Sequence, residues 1–596
     1  MPKPKPIAFA VAAAVSATLA AFSTGASSER ALPDALLQPT GAACAPNPGQ
    51  PALLRNMILA ATETAPFQPV PPKPVLDQRP QLYRDLGKLH FRISTRNPRA
   101  QAFFDQGVIL AFGFNHAEAQ RAFREAQRLD PECAMCFWGE ALVLGPNINV
   151  PMMPDAIAPA FEASKRASEL APKASPVERA LIAAVAKRYS ADPKADRAAL
   201  DKAYADAMKE VAARYPRDDT VLTLYAESLM DTQPWDYWEA GGTKNKGSGA
   251  DIVATIEKVL ARDPRHPGAV HLYIHAMEAS NKPEKALPYA DRLGGLVPGA
   301  GHLVHMPAHI YYRIGMYRES LEANKKAIGV DERYFATSPS DPLYKSAYYP
   351  HNIHFVMVSA QMGGDSATAL DAASKLDAAI PNEIAKAFAI MQPVKAAPYT
   401  THAQFSDPAA TLALPAPSPD LLLVNAMYHY ARAVAYAKMK DEANAKREME
   451  ALAAMENTAD FKPFAEWNMP AKEIVQTARL VAAGRLADAM GDLDAAAKAY
   501  EDAIFIEDTL SYMEPPYWYY PVRQSLGSVR LRQGKLDAAE TAFRESLVRV
   551  RNNGWALAGL AETYKRKGDA AAEAQARTAL ARAWFGDKGG PDVGKL

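Results

Sequence analysis

Residues 107–131 read GVILAFGFNHAEAQRAFREAQRLDP and decide how the rest of the chain is interpreted. Gly107 opens the stretch, Ala119 and Phe123 form an A-x3-F pair in its second half, and Pro131 closes it. Small residues let two helices approach closely, an aromatic ring fills the gap between neighbouring hairpins, and proline ends the second helix. The stretch therefore predicts a hairpin of two α-helices.

The same spacing returns along the chain. Three clear units carry it at Gly484, Ala496 and Tyr500, at Gly527, Ala539 and Phe543, and at Trp555, Gly559 and Ala571. Weaker units are marked by Ala160 with Pro172, Tyr204 with Pro216, Ile252 with Pro264, Ala286 with Pro298, Ser320 with Ala327, and Ala369 with Pro381. From about Pro98 onward this series resembles the tetratricopeptide repeat (TPR) proteins. The resemblance implies an all-α fold, a right-handed superhelical solenoid of about ten or eleven TPR-like hairpins with loop insertions.

The first residues have the layout of a signal peptide. Residues 1–6 are basic, and residues 7–22 form an uncharged apolar run that is shorter than the roughly 20 residues of a membrane span. The small residues that follow are typical of the site where a signal peptide is cleaved. We therefore expect a signal peptide over 1–26, a periplasmic or secreted protein, and no integral membrane segment after cleavage.

Composition and breaks in the repeat pattern divide the remaining chain. We predict an extended Pro/Ala-rich arm or linker over 27–97 and an N-terminal and central array with a histidine-lined groove over 98–395. A Pro-rich insertion over 396–420, a C-terminal array over 421–585 and a flexible tail over 586–596 complete the chain. Shorter loops interrupt the array at 145–154 and 241–249, and such insertions in a solenoid often lie on its binding face.

Charge and cysteine content exclude several classes of protein. Lysine plus arginine (67) balances aspartate plus glutamate (67), so the chain has no basic excess that favours nucleic acid. Cys44 is too far from the apolar run to be a lipidation site. Cys133 and Cys136 are spaced to form a tight disulfide, to stay reduced or to supply two thiolate ligands.

Histidines are concentrated in the middle of the chain, where seven of the 12 lie between residues 271 and 354. In the TPR frame they occupy the second, fifth and ninth places of the first helix in three successive units. The resemblance implies that these places face the concave groove where family members hold ligands. They are His271 and His275 in one unit, His302, His305 and His309 in the next, and His351 and His354 in the third.

This placement favours a transition-metal site. Residues three or four apart lie on one face of a helix, about 5–6 Å apart at Cβ, so His271/His275 and His305/His309 are two-ligand pairs. Stacked repeats bring further imidazoles toward one centre. Pro307 lies inside the second pair, where a kink would change its geometry. All-histidine sites suit Zn, Cu, Ni or Fe, and the sequence does not distinguish Cu, Zn and Fe.

Two carboxylates are candidates to support the imidazoles. Glu278 follows His275 by three residues, and Glu227 occupies the ninth place of an upstream unit. Either is predicted to bind the metal or to accept a hydrogen bond from an imidazole N–H.

Other readings of the histidines remain open. Without metal, they would hydrogen-bond an anionic or peptide ligand in the groove, as in a TPR interaction scaffold, or form a satisfied polar network. A histidine-metal-dependent enzyme is a further alternative and requires an open coordination position. Phosphate-binding loops, dinucleotide fingerprints and nucleophile elbows are not found in the sequence.

Overall fold

The computed structural model describes residues 78–239, 241–338, 342–510 and 512–596. These residues form α-helices joined by turns and short 3-10 segments, and their only strand-like features are two isolated β-bridges. The predicted all-α solenoid of TPR-like hairpins is confirmed. The predicted signal peptide, Cys44 and the arm as far as residue 77 lie outside the described residues.

The helices follow one another in antiparallel pairs that contact their neighbours along the array. Those of the first half are α1 (Pro98–Phe112), α2 (His116–Leu129), α3 (Ala134–Leu144), α4 (Ile157–Leu170), α5 (Pro176–Val185), α6 (Arg197–Arg214), α7 (Asp219–Thr232), α8 (Gly249–Arg262), α9 (Pro267–Glu278), α10 (Leu287–Leu296), α11 (Gly301–His305), α12 (Pro307–Arg313), α13 (Tyr317–Thr337) and α14 (Pro342–Gly363).

The second half continues the pattern. Its helices are α15 (Ser366–Ala379), α16 (Asn382–Ala387), α17 (Gln392–Lys395), α18 (Ala397–Phe405), α19 (Pro408–Leu412), α20 (Leu422–Lys438), α21 (Glu442–Thr458), α22 (Lys462–Ala465), α23 (Ala471–Met490), α24 (Leu493–Glu507), α25 (Val522–Arg532), α26 (Leu536–Arg549), α27 (Gly554–Lys567) and α28 (Ala570–Ala583). No helix in the described part of the chain combines the length and the apolar character of a membrane span.

Glycines packed on aromatic rings hold the hairpins together as the repeat pattern predicts. The Phe123 ring lies between Gly107 of its own hairpin and Gly139 of the next, where an added Cβ would come within 2.5 and 2.4 Å of the ring. Phe543 packs against Gly559 in the same way, with 2.2 Å for the corresponding distance. Because real Cβ contacts are never this short, these glycines set how closely the helices approach.

The array curls so that its C-terminal hairpins contact its centre. The Tyr317 hydroxyl donates to the carbonyl oxygen of Arg551 at 2.8 Å, and the Trp555 indole N–H donates to the carbonyl oxygen of Gln361 at 3.1 Å. Further on, the backbone N–H of Phe585 donates to the carbonyl oxygen of Gly363 at 3.1 Å. This closure brings the chain after α24 against the histidine-bearing helices.

Two predicted segments differ from expectation. The Pro-rich stretch 396–420, expected to interrupt the array, contains α18 and α19, which pack on the adjacent helices α15 and α20. Two of its five prolines, Pro398 and Pro408, fall in the first turns of these helices, where the missing N–H costs no hydrogen bond. The tail 586–596, expected to be flexible, packs on the array. Its Leu596 side chain is buried, and Ser528 donates to the carbonyl oxygen of Val593 at 2.6 Å.

Side-chain packing holds the end of the arm against the first hairpins, and a disulfide lies at the start of α3. The described end of the arm has no regular secondary structure, and its Phe91 is buried against Phe104 and Trp138. Cys133 and Cys136 form a disulfide at the start of α3. Of the alternatives open for this pair, the structure has the disulfide rather than free or metal-binding thiolates.

Candidate metal centre

Six of the seven predicted histidines converge in the interior of the array. All six belong to two sets of three whose ligand atoms lie within 4.8 Å of one another. The first set is His271, His275 and His302, and the second is His305, His309 and His351. Five of the six side chains are buried and His351 is half-buried.

Helical spacing accounts for the two pairs. On α9 the rings of His271 and His275 have centroids 4.9 Å apart, as expected for side chains one turn apart. Pro307 divides the second pair between α11 and α12, but Met306 keeps helical backbone angles (φ −49°, ψ −38°). The rings of His305 and His309 therefore remain 4.8 Å apart. Pro307 therefore divides the helix into α11 and α12 but does not separate the rings of His305 and His309.

Backbone and amide oxygens orient one imidazole in each set. The Nδ1–H of His271 donates to the carbonyl oxygen of Phe112 at 2.6 Å. The Nδ1–H of His305 donates to Oδ1 of Asn324 at 2.6 Å, and the Asn324 amide group donates to the Ser320 carbonyl oxygen at 2.7 Å. In a neutral imidazole a protonated Nδ1 leaves Nε2 with a free lone pair. The Nε2 atoms of both rings thus face other imidazoles of the cluster with a free lone pair, which a metal could bind.

A single carboxylate serves both sets. Oε1 of Glu278 accepts from Nδ1 of His275 at 2.7 Å, and Oε2 accepts from Nδ1 of His309 at 2.6 Å. Glu514 adds a second acceptor, with Oε2 3.1 Å from the same nitrogen of His309. Acceptors of this kind fix the tautomer and orientation of metal-binding histidines. The predicted supporting role of Glu278 thus has the geometry that it requires.

The Nε2 atoms face one another at close range. His271 and His302 approach to 3.2 Å through Nε2, His305 and His309 to 2.9 Å, and His309 and His351 to 3.4 Å. Two unprotonated imidazole nitrogens cannot hydrogen-bond to each other, so each close pair requires a proton or a cation between them. Among the described residues, Nε2 of His275 and Nδ1 of His302 are buried without a hydrogen-bond partner.

Burial sets the charge of the cluster. Burial is the main reason why the pKa of five imidazoles lies well below the usual 6.5, and the charges of neighbouring histidines lower it further. The five imidazoles are those of His271, His275, His302, His305 and His351. Burial also opposes the charged form of His309. The charge and hydrogen bond of Glu278, together with Glu514, more than offset it and raise the pKa of His309 to about 10. Near neutral pH, five rings are therefore neutral and one holds a proton.

Aromatic side chains cover the cluster. The Phe114 ring centroid lies 4.5 Å from that of His271, Trp235 lies 4.9 Å from His275, and Phe355 lies 4.8 Å from His309. Phe114 holds this position with a left-handed backbone (φ 53°), a strained conformation for a bulky residue. These side chains enclose the histidines of the predicted groove.

Two predicted residues lie apart from the cluster. Nε2 of His354 pairs with the Tyr519 hydroxyl at 2.8 Å, outside both sets. Glu227 lines a separate small cavity with Arg188 and Asp231, and burial raises its pKa to about 7. The structure therefore leaves both residues without a place in the metal centre.

Sequence reasoning missed three supporting groups. Phe112, Asn324 and Glu514 supply acceptors from α1, α13 and the segment after α24. Glu514 lies 205 residues beyond His309, and no periodicity links the two positions. Its only signal is the dense aromatic and proline run that begins at Pro515, which marks a segment built to be buried.

No protein-family model and no curated protein matches this chain. Solved structures align with it loosely. The Cut9 and Hcn1 hetero-tetramer of the APC/C is 13% identical, with 82% of this chain and 76% of that one covered and a TM-score of 0.28. Human IFIT1 with m7Gppp-AAAA is 15% identical, covering 82% and 90%, with a TM-score of 0.29. Yeast Tom70 is 11% identical, covering 82% and 90%, with a TM-score of 0.25.

Proposed function

We propose that this chain is an exported protein that binds first-row transition metal ions through its buried histidines. The observation that carries the proposal is the convergence of six buried or half-buried imidazoles in two sets of three, whose ligand atoms lie within 4.8 Å of one another. A divalent cation can bind the imidazole lone pairs that face the interior of each set. Export follows from the residue pattern of 1–26 alone and is tested by the mass of the protein recovered from the periplasm.

A polar network without metal explains the geometry less well. Buried polar atoms in proteins are almost always hydrogen-bonded, and leaving one unsatisfied costs about 1–3 kcal/mol. Here His275 and His302 each bury a nitrogen without a partner in the described residues, in the set that carries no excess proton. A bound ion gives Nε2 of His275 the partner that it lacks.

The ligand set limits the choice of metal. Imidazole nitrogen suits Zn, Cu, Fe and Ni, whereas Ca and Mg prefer oxygen. Three protein ligands per set also leave a coordination position free, which is the arrangement of catalytic rather than structural zinc sites.

Metal content tests the proposal directly. We expect the purified protein to retain Cu or Zn after gel filtration, measured by mass spectrometry, and to unfold at a higher temperature when the metal is added. The double variant His305→Ala/His309→Ala should lose metal from its set, while His402→Ala, which removes a half-buried histidine outside the cluster, should not. Protein that takes up no stoichiometric metal would instead be an interaction scaffold.

Proton release gives a second, independent prediction. Because His309 is protonated below about pH 10 while the other five rings are neutral, a metal ion that binds its Nε2 must displace one proton. Affinity at this position should therefore rise as pH increases from 6 to 9. We expect titration with Zn at pH 7.5 in weak buffer, followed by a pH indicator, to release about one proton per chain. His309→Gln should release none, and a pH-independent affinity would contradict the assignment.

A further inference from the structure

The two histidine sets repeat the same places of the TPR frame. His271 and His275 hold the fifth and ninth places of one unit, and His302 holds the second place of the next. One repeat later the pattern returns, with His305 and His309 in the fifth and ninth places and His351 in the second place of the unit that follows.

The geometry repeats with the pattern. In the first set the ring of His271 lies 4.9 Å from that of His275 and 5.0 Å from that of His302. In the second set the ring of His305 lies 4.8 Å from those of both His309 and His351. Each set is therefore a pair one helical turn apart within one unit, closed by a histidine from the next unit. The third side differs more, at 6.3 Å between the rings of His275 and His302 and 5.4 Å between those of His309 and His351.

We infer that the repeat builds two equivalent three-histidine metal sites side by side, so that one chain holds a pair of ions. This inference rests on the proposed function and adds the number and arrangement of the ions. Stacked repeats place equal positions at regular intervals. A ligand set shared between two adjacent repeats is consequently reproduced one step along the array.

Ligand spacing favours two ions over one. Nitrogen ligands lie about 2.0–2.1 Å from zinc, so two nitrogens on the same ion are at most about 4.2 Å apart. The ligand atoms of each set lie within 4.8 Å of one another, slightly wider than this limit, and the described histidines form no larger group at that spacing. The sets adjoin, since the ring of His275 lies 5.6 Å from that of His309 and the ring of His302 lies 5.7 Å from that of His305.

Glu278 links the two sites. Its two oxygens accept from His275 of the first set and His309 of the second, and the residue is fully buried. One carboxylate thus balances part of the charge of both ions and orients one ligand of each.

The same pattern explains why the array stops at two sites. In the third unit His354 holds the fifth place, but the ninth is Val358, and His354 pairs with Tyr519 instead. In the upstream unit the fifth and ninth places are Thr223 and Glu227, and the second place of the next unit is Gly268. Neither neighbour offers three imidazoles.

Copper titration tests the pair. The full-length protein, stripped with a chelator and dialysed against Cu(II), should hold two ions per chain. Electron paramagnetic resonance should give less signal than two isolated Cu(II) ions, because neighbouring spins couple. His275→Gln and His351→Gln should each retain one ion and show the full signal of one isolated Cu(II). The control His402→Ala should behave like wild type.

The possible results distinguish the presence of two neighbouring ions from metal binding in general. A wild-type protein with one ion that either variant abolishes would overturn the pair while upholding metal binding. Two ions with the full signal of isolated Cu(II) would place them apart and would also overturn it. A wild-type protein that binds no copper would rule out the proposed function itself. Circular dichroism of each variant shows whether it is folded, and the wild-type stoichiometry decides the matter without the variants.

Discussion

Replacing Glu278 by glutamine will lower metal affinity about ten- to hundredfold, the usual effect of removing a partner that orients metal-binding histidines. The glutamine amide has one acceptor oxygen and one donor group. Either His275 or His309 therefore loses its acceptor and faces an N–H instead, and both sites lose a negative charge. Competition with a chelator of known affinity measures the change.

A matched control exists elsewhere in the chain. Glu448 accepts from Nδ1 of His429 at 2.7 Å and pairs with Arg432, outside the cluster. Glu448→Gln should leave metal affinity unchanged. If Glu278→Gln binds metal as tightly as wild type, Glu278 does not orient the ligands and the link between the two sets is wrong.

Replacing Arg188 by methionine will destabilise the array by about 3–5 kcal/mol, the cost of breaking a buried ion pair by removing one partner. Arg188 is 2% exposed and donates to Asp231 at 2.6 Å and to Asp201 at 3.3 Å. Glu227 lines the same cavity. Without the guanidinium group, these buried carboxylates repel one another, and the shift in the urea midpoint of unfolding measures the loss.

The stability lost in Arg188→Met will become smaller as pH falls. Burial raises the pKa of Glu227 to about 7 and that of Asp231 above its usual range, even with Arg188 present. The folded state therefore binds more protons than the unfolded state, so the stability of Arg188→Met rises as pH falls from 8 to 5. Arg166→Met removes an exposed pair with Glu169 and should change stability by about 0.5 kcal/mol or less. Equal effects of the two variants would contradict the prediction.

The prolines of 396–420 predict a break in the array, and the tail is expected to be flexible. Two of the prolines instead fit the first turns of α18 and α19, and the Leu596 side chain is buried. Trp235 and Phe114 enclose the histidines, which the repeat pattern does not indicate. Contacts with distant parts of the chain therefore decide the packing of the tail and the enclosure of the cluster.

By itself the sequence determined the repeats, the helices and the places of the histidines within them. Those features depend on the helical period and on the small-residue and aromatic spacing within one hairpin, which are local. Only the tertiary structure decided that two sets of three rings converge, that Asn324 and Phe112 orient them, and that Glu514 reaches His309. These contacts depend on the curvature of the whole array, which is the sum of small rotations between many successive repeats. The sequence of a single repeat does not indicate that curvature.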